Sequence, residues 1–168
     1  MEAQHTASNS YRKDIKFLVL DVDGVMTDGG MYYSESGDEF KRFNTKDGMA
    51  IRHLTKSGFN VAFLSSGKNQ AIVHNRAVLL GVEHVYVGFE EKLGILEAWR
   101  VQLGLEWNEI SYIGDDVNDA VVMQKVGLAA CPSDAVDYIK SIATVHLKNK
   151  GGEACVREFI EHYIREIR

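Results

Sequence analysis

An apolar run that ends in two acidic residues constrains the fold of this chain more than any other feature. Residues 15–20 are apolar except for one lysine, and the run is long enough for a buried strand. It is followed at once by Asp21, Val22, Asp23 and Gly24. Because side chains alternate along a strand, Asp21 and Asp23 begin on the same side, and Gly24 lets backbone approach a ligand closely. Unpaired charges beside a dry core are costly, so we expect a cation there.

Short apolar runs alternate with helix-forming segments along the rest of the chain. The later predicted strands are 61–64, 84–87, 109–113, 128–130 and 144–147. The predicted helices are 47–57, with Asp47 as its cap, then 70–80, 91–103, 120–126, 135–142 and 153–167. Aromatic segments 31–33 and 39–43 flank a Ser-Gly-Asp turn, which is typical of a β-hairpin. This order predicts an α/β protein with a Rossmann-like, doubly wound parallel sheet and a β-hairpin insertion.

Composition indicates one globular domain and argues against several functions. The chain has 168 residues, 45% of them hydrophobic, enough for a single core; we assign residues 1–13 to a flexible lead-in and 14–168 to the domain. A net charge of −5 argues against nucleic-acid binding. No apolar run reaches membrane-spanning length, and residues 1–13 lack a signal-peptide hydrophobic region. Cys131 and Cys155 lack metal-site spacing, so we expect reduced thiols in a cytoplasmic protein.

Polar side chains recur where the predicted strands end. Ser65 follows the strand 61–64, Asp115, Asp116 and Asp119 follow the strand 109–113, and Lys92 begins a helix. In an open parallel sheet, ligands bind outside the carboxyl ends of the strands. Folding alone does not require a hydroxyl, several acids and a lysine at successive strand ends, so we expect a catalytic site there.

Four motifs in this order resemble the haloacid dehalogenase superfamily of phosphotransferases. They are Asp21-Val-Asp23-Gly, the strand ending in Ser65, Lys92, and Gly114-Asp115-Asp116-Val-Asn-Asp119. The resemblance implies that Asp21 is the nucleophile and forms an aspartyl-phosphate. It implies that Asp23 protonates the leaving alkoxide and then activates the water that cleaves the intermediate.

The same resemblance implies a Mg²⁺ ion that cancels the repulsion between an anionic nucleophile and an anionic phosphate. Its ligands would be Asp21, the Asp23 carbonyl oxygen and Asp115. Asp116 is expected to support these ligands from outside. For Asp119 two interpretations stay open, a direct ligand or a helix cap and supporting partner.

The resemblance also supplies the residues that hold the phosphoryl group. Lys92 would place a positive charge beside its oxygens and Asp21, and the Ser65 hydroxyl would donate a hydrogen bond to it. Ser66 is the alternative phosphate ligand, in which case Ser65 is a turn cap. An exposed helix position is the alternative for Lys92.

The intervals between motifs leave no room for a domain that covers the site. The hairpin, one helix and one strand fill the interval from Asp21 to Ser65, and a helix and a strand fill that from Ser65 to Lys92. The fold is therefore expected to lack a cap domain. An open site must accept a macromolecule or be closed by another subunit.

Local segments resemble a narrower family, the phosphatases of 3-deoxy-D-manno-octulosonate 8-phosphate and of nine-carbon sugar-acid phosphates. They are 23–30, 43–51, 75–77 and 151–158. This resemblance implies Mg²⁺-dependent hydrolysis of a phosphorylated 2-keto-3-deoxy sugar acid, a step in making an acidic sugar such as that of lipopolysaccharide, by a cytoplasmic homotetramer. Arg76 and Arg157 are candidates for binding the sugar carboxylate, although either one could be an ordinary solvated arginine.

One departure leaves the sugar open. The octulosonate enzymes usually read Thr-Gly-Arg after the second strand, whereas this chain reads Ser65-Ser66-Gly67-Lys68. We therefore expect Lys68 to help select the substrate. The octulosonate phosphate is favoured, and a nonulosonate 9-phosphate (of KDN or an N-acylneuraminate) is the alternative.

A second resemblance gives a non-enzymatic alternative. Residues 97–107 are similar to the domain fused behind sialic-acid cytidylyltransferases, which can serve as an oligomerisation module. The retained acids favour an enzyme. A phosphatase of phosphoproteins or nucleic-acid ends is a third hypothesis, which the negative charge opposes.

The hairpin and the C-terminal segment predict how an uncapped site is closed. Aromatic residues of the hairpin 31–43 are expected to form contacts between protomers. Gly151 and Gly152 permit a change of direction, so they and the tail with Arg157 are expected to lie over a neighbouring site. The alternative is a helix packed on its own sheet.

Overall fold

Six parallel strands form the central sheet of the computed structural model, which describes residues 11–167. In chain order the strands are β1 (Phe17–Leu20), β2 (Tyr32–Tyr33), β3 (Glu39–Phe40), β4 (Asn60–Ser65), β5 (His84–Val87), β6 (Ile110–Ile113), β7 (Leu128–Cys131) and β8 (Val145–His146). β2 and β3 pair as an antiparallel hairpin. The others are ordered β5-β4-β1-β6-β7-β8 and are all parallel. The predicted doubly wound sheet with a hairpin insertion is confirmed.

Five α-helices of the described residues connect strands, and a sixth follows β8. They are α1 (Thr45–Lys56), α2 (Gln70–Leu80), α3 (Lys92–Leu103), α4 (Ala120–Met123), α5 (Asp137–Ile142) and α6 (Cys155–Phe159). α2 and α3 end at Gly81 and Gly104, both in the left-handed conformation that ends helices without a Cβ penalty. α1 begins one turn earlier than predicted, because Asn44 caps it by accepting a hydrogen bond from the Lys46 backbone. Assigning the cap to Asp47 was wrong.

The last predicted helix is shorter and less regular than its sequence suggests. Ala154 has a φ of +70°, which is not helical, so α6 begins at the next residue, Cys155. After α6, residues Ile160–Ile164 form a wider π-helical turn. The hairpin strands are also shorter than the aromatic segments that predicted them. Among the described residues, no helix is long and apolar enough to span a membrane.

The sheet core holds β1 rigidly at the centre of the protein. Leu18 and Leu20 pack in the layer of α1, α2 and α6. Phe17 and Val19 pack in the opposite layer with α3, α4 and α5. Burial on both faces explains why β1 is almost continuously apolar, and it fixes the position of the acid that follows the strand.

Strand order reverses next to β1. β4 lies on one side of it and β6 on the other, so the connections leave β1 and β6 in opposite directions. Such a point opens a crevice at the carboxyl ends of the strands. Asp21 follows β1 and Asp115 follows β6 at this crevice.

The hairpin is the only element inserted outside the sheet and its helices between residues 11 and 167, as expected for a chain without a cap domain. Four of its large side chains are exposed, namely Met31, Tyr32, Tyr33 and Phe40. Of the expected lead-in, residues 1–10 lie outside the described part. The Arg12 backbone N–H donates to the Tyr163 carbonyl oxygen at 2.8 Å.

Asp47 joins α1 to α6. Its carboxylate is 2% exposed and its Oδ1 accepts the Arg157 backbone N–H at 2.8 Å. Burial raises the pKa of Asp47 to about 6, against the opposing effect of backbone donors at Arg157, Val156 and Ala154. The acid therefore caps α6 rather than the helix that contains it.

Replacing Asp47 with asparagine is expected to change the pH dependence of stability. The ordinary pKa of the acid is 3.8 and the folded value is about 6, so the folded state binds the proton more tightly. Its contribution to the free energy of unfolding is then full below pH ~4 and is lost as the pH rises through ~6. Urea unfolding should show the wild type losing about 2 kcal/mol relative to the variant between pH ~4.5 and ~7. Asp137→Asn, which replaces an exposed acid, is the control. Parallel plots of unfolding free energy against pH for the wild type and Asp47→Asn would contradict the prediction.

Candidate active site

Asp21 and Lys92 form a buried ion pair at the carboxyl edge of the sheet. The Asp21 backbone N–H donates to the Ile113 carbonyl oxygen at 3.0 Å, which holds the acid between β1 and β6. Lys92 is the first residue of α3, and its Nζ lies 2.8 Å from Asp21 Oδ1. The two residues are only 5% and 4% exposed. A carboxylate held in this way has a fixed direction of attack.

Asp119 organises the surrounding groups. Its Oδ1 accepts from Lys92 Nζ at 2.7 Å and from the Tyr112 hydroxyl at 2.6 Å. Its Oδ2 accepts the backbone N–H groups of Asp115 at 3.0 Å and Asp116 at 3.3 Å. Four donors occupy this carboxylate, which favours the supporting interpretation of Asp119 over direct metal ligation. Sequence reasoning missed Tyr112; a lone hydroxyl-bearing aromatic in a buried strand was the available signal.

Asp115 has one buried carboxyl oxygen without a hydrogen-bond partner. Its Oδ1 is buried and has no hydrogen-bond partner in the described part of the chain. One oxygen each of Asp21, Asp115 and Asp119 lie within 4.8 Å of one another. Burial, followed by the charges of Asp119 and Asp116, raises the pKa of Asp115 to about 7. Burial and Asp119 also raise the pKa of Asp21, more than Lys92 lowers it. The ammonium of Lys92 alone therefore does not offset the effects that disfavour the charged forms of Asp21 and Asp115.

Two glycines make this crowding possible. Gly24 has a φ of +84°, and a Cβ there would lie 2.0 Å from Asp115 Oδ2. A Cβ on Gly114 would lie 2.6 Å from the Asp119 side chain. The glycines of both acidic motifs are therefore required by close approach of the acids.

Asp23 faces the hairpin. Its carboxylate is 39% exposed, and its Oδ1 accepts from Lys41 Nζ at 2.5 Å. Lys41 Nζ also lies 2.9 Å from Glu39 Oε1. The second oxygen of Glu39 accepts from Asn69 Nδ2 at 3.3 Å. The hairpin thus reaches the predicted acid–base residue, a contact that sequence reasoning did not anticipate.

An open cleft of about 520 Å³ lies between these groups. Its lining includes Asp21, Asp23, Glu39, Lys41, Ser65, Ser66, Lys68, Phe89, Asp115 and Asn118. Ser65 Oγ accepts the Gly67 backbone N–H at 3.2 Å, so it also caps the turn. Ser66 Oγ accepts from Asn118 Nδ2 at 3.1 Å. Both serines and Lys68 line this cleft.

Comparison with known proteins identifies the family. No family model matches the chain. It is 38% identical over 145 residues to 3-deoxy-D-manno-octulosonate 8-phosphate phosphatase of Yersinia pestis, covering 86% of this chain and 77% of that enzyme. The chain belongs to the 3-deoxy-D-manno-octulosonate 8-phosphate phosphatase family.

Solved structures agree with this octulosonate phosphatase assignment. A Moraxella catarrhalis enzyme of that name, in complex with magnesium ion, phosphate ion and KDO, has a TM-score of 0.84 at 31% identity and covers 89% of this chain and 85% of its own. A Legionella pneumophila protein described as a HAD superfamily (subfamily III A) hydrolase has a TM-score of 0.85 at 37% identity, with 89% and 81% covered. The resemblance to the haloacid dehalogenase superfamily is confirmed.

Two arginines that were predicted to bind the substrate, Arg76 and Arg157, do not line the cleft of this protein. Arg76 Nη2 donates to the Asn44 carbonyl oxygen at 3.2 Å, and its guanidinium lies 5.4 Å from the centre of the Phe43 ring. Arg157 pairs with Glu161 at 2.6 Å on the exposed side of α6. Neither lines the cleft of its own protomer.

The Gly151-Gly152 segment packs on the active-site turn of its own protomer, and the expectation that the tail reaches a neighbouring site stays a prediction. The Gly152 backbone N–H donates to the Val25 carbonyl oxygen at 3.0 Å. A Cβ on Gly151 would lie 1.9 Å from the Gly24 carbonyl oxygen. The following helix buries apolar residues in the protomer's own core, namely Cys155, Val156, Phe159 and Ile160. These glycines permit close backbone packing, and the helix that follows them packs in the core of its own protomer.

Proposed function

We propose that the protein is a Mg²⁺-dependent phosphatase that hydrolyses 3-deoxy-D-manno-octulosonate 8-phosphate. The observation that carries this is the position of the buried nucleophile candidate Asp21 between Lys92 and Asp115, whose Oδ1 has no hydrogen-bond partner among the described residues. That arrangement suits an anionic nucleophile that must approach an anionic phosphate. The named relatives favour the eight-carbon substrate over the nine-carbon one and over a non-catalytic module.

The residues support a two-step reaction. In the first step an Asp21 oxygen attacks phosphorus, the bond from phosphorus to the sugar oxygen breaks, and Asp23 gives that oxygen its proton. In the second step the Asp23 carboxylate takes a proton from water, whose oxygen attacks phosphorus and releases Asp21. Lys92 offsets the negative charge on Asp21 and the phosphoryl oxygens in both steps.

The acidic cluster fits a magnesium ion. Asp21, Asp115 and the Asp23 carbonyl oxygen would hold it, and the unpaired Asp115 Oδ1 is an oxygen ready for a cation. The bound ion supplies a Lewis acid that neutralises charge on the transferring phosphate. Asp119, with both oxygens occupied, would instead hold Lys92 and the loop of Asp115 in place.

Phosphate release from a panel of substrates tests the function. The panel holds the octulosonate 8-phosphate, nine-carbon sugar-acid 9-phosphates and a phosphopeptide, each with and without Mg²⁺. We expect metal-dependent release with the highest kcat/KM for the octulosonate phosphate. A preference for a nine-carbon substrate would overturn the sugar assignment, and no metal-dependent release from any of them would favour the oligomerisation module.

Replacing Lys68 with alanine is expected to change substrate preference. Lys68 lines the cleft where relatives place arginine, and a flexible ammonium reads a carboxylate less rigidly than a guanidinium. The ratio of kcat/KM between eight- and nine-carbon substrates should change by about 5-fold or more, roughly 1 kcal/mol. Hydrolysis of p-nitrophenyl phosphate, which lacks the sugar, is the control; an equal loss on all three substrates would show that Lys68 does not discriminate.

We also propose a cytoplasmic homotetramer whose sites are completed across subunits. The exposed aromatic side chains of the hairpin support assembly. The free buried thiols of Cys131 and Cys155 suit a reducing compartment. Arg76 and Arg157 do not line the cleft of their own protomer. In the tetramer they would bind the carboxylate of a sugar held in the cleft of a neighbouring subunit. Light scattering measures the assembly, and mixing Asp21→Asn with Arg157→Ala protomers tests sharing: activity recovers only if Arg157 acts across subunits.

A further inference from the structure

Lys41 is a buried cation on an otherwise exposed hairpin. It follows β3 directly, and its side chain is 6% exposed although neighbouring Phe40 is 58% exposed. Its ammonium contacts Asp23 and Glu39 only, among the described residues. Burial lowers the pKa of Lys41, and the two carboxylates more than reverse that effect, so it stays charged. Ordering and desolvating a lysine costs free energy, which suggests a role beyond filling space.

The contacts of Lys41 distinguish the two oxygens of Asp23. Oδ1 is bound by the ammonium. Oδ2 points toward the loop that follows β4, where a Cβ on Gly67 would lie 3.5 Å from it. Because this loop lines the cleft, Oδ2 is the oxygen exposed to a leaving group or an attacking water. A half-exposed carboxylate would otherwise rotate between conformations.

Glu39 and Asn69 hold the ammonium in place. Glu39 Oε1 binds Lys41 and Oε2 accepts from Asn69, which comes from the loop after β4. These contacts therefore join the hairpin to the Asp23 turn on one side and to the loop after β4 on the other. Asp23 and Asn69 are the two ends of this network, and the hairpin residues Lys41 and Glu39 are its middle.

We propose that Lys41 is a positioning residue that fixes the Asp23 carboxyl so that Oδ2 carries out both proton transfers. The inference rests on the proposed phosphatase function. It makes the hairpin part of the catalytic apparatus as well as an assembly surface. The competing possibility is that Lys41 binds the substrate directly through its third N–H.

A double-mutant cycle on kcat tests the proposal. Lys41→Met should lower kcat for the octulosonate phosphate by about 10- to 100-fold, within the range of acid–base catalysis. If Lys41 acts through Asp23, adding Lys41→Met to Asp23→Asn should change kcat by less than about 2-fold. The full Lys41 loss persisting in the Asp23→Asn background would overturn the proposal, since Lys41 would then act on the substrate independently.

Leaving-group dependence gives a second readout that a folding defect does not mimic. p-Nitrophenolate leaves without protonation, so Lys41→Met should keep the rapid first release of nitrophenolate and slow only the later turnover. Loss of the rapid phase in a folded variant would contradict a role through Asp23. Lys41→Arg, which keeps the charge, should recover most of the activity. Lys41→Gln is used if Lys41→Met unfolds early in a thermal scan.

The same experiment separates this inference from the proposed function. Wild-type enzyme that cleaves p-nitrophenyl phosphate but no sugar-acid phosphate would refute the substrate, and the cycle would then be measured on the aryl substrate. Wild-type turnover of the octulosonate phosphate with additive effects of the two changes would refute only the role of Lys41.

Discussion

Replacing Asp21 with asparagine is expected to lower kcat for the octulosonate phosphate by at least about 10⁴-fold, the scale seen when a nucleophile is removed. The amide has nearly the same shape but is a far weaker nucleophile, so no aspartyl-phosphate forms. The fold should survive, because the substitution removes one charge from a crowded cluster in which burial and the charge of Asp119 raise the pKa values of Asp21 and Asp115. Lys92 keeps Asp119 as its partner.

The measurement combines phosphate release with thermal unfolding. Asp137→Asn, an exposed acid in α5, is the matched control and should keep wild-type turnover. A variant at Asp21 that unfolds cooperatively and still turns over at a wild-type rate would remove Asp21 from the role of nucleophile.

Replacing Lys92 with methionine is expected to damage both activity and stability. Its ammonium bonds Asp21 at 2.8 Å and Asp119 at 2.7 Å, so its loss leaves two buried carboxylates without a cation. Breaking such a buried pair costs about 3–5 kcal/mol of unfolding free energy. Losing a charge that stabilises the transferring phosphate should lower kcat by about 10²- to 10³-fold.

Magnesium distinguishes the two effects of this change. An added divalent cation would bind among the carboxylates of the acidic cluster. It should restore part of the stability of Lys92→Met without restoring the activity. Lys125→Met, at an exposed position in the turn after α4, is the control for removing a lysine. Equal stability of Lys92→Met and wild type in the absence of metal would show that the buried pair does not stabilise the fold.

Local sequence signals predicted the elements that are set by local physics. Gly81 and Gly104 end their helices where predicted, because a left-handed residue after the last turn is a short-range requirement. The acids after β1 and β6 were predicted to converge because parallel strands share one carboxyl edge. Asp47 misled the prediction of a helix start, since its partner is the backbone of α6, far away in sequence.

Contacts between distant segments could not be predicted in the same way. Nothing local marks Lys41 as the partner of Asp23, because alternating hairpin residues differ only in which side they face. Tyr112 looked like one more core residue until its hydroxyl was placed beside Asp119 and Lys92. The positions of Arg76 and Arg157 depend on how helices rotate against the sheet, which residue type does not specify.

The contact of residues 151–155 with the Asp23 turn has a consequence for folding. Gly152 N–H and Cys155 Sγ–H both donate to the Val25 carbonyl oxygen, the latter across a separation of 130 residues. Closing so long a loop costs conformational entropy, so we expect these bonds to form late in folding. An intermediate can contain β1 and both acids while the turn that aims Asp23 is still unsupported. Recovery of enzymatic turnover during refolding should therefore lag behind recovery of secondary structure, and catalysis would report the completed chain rather than the assembled sheet.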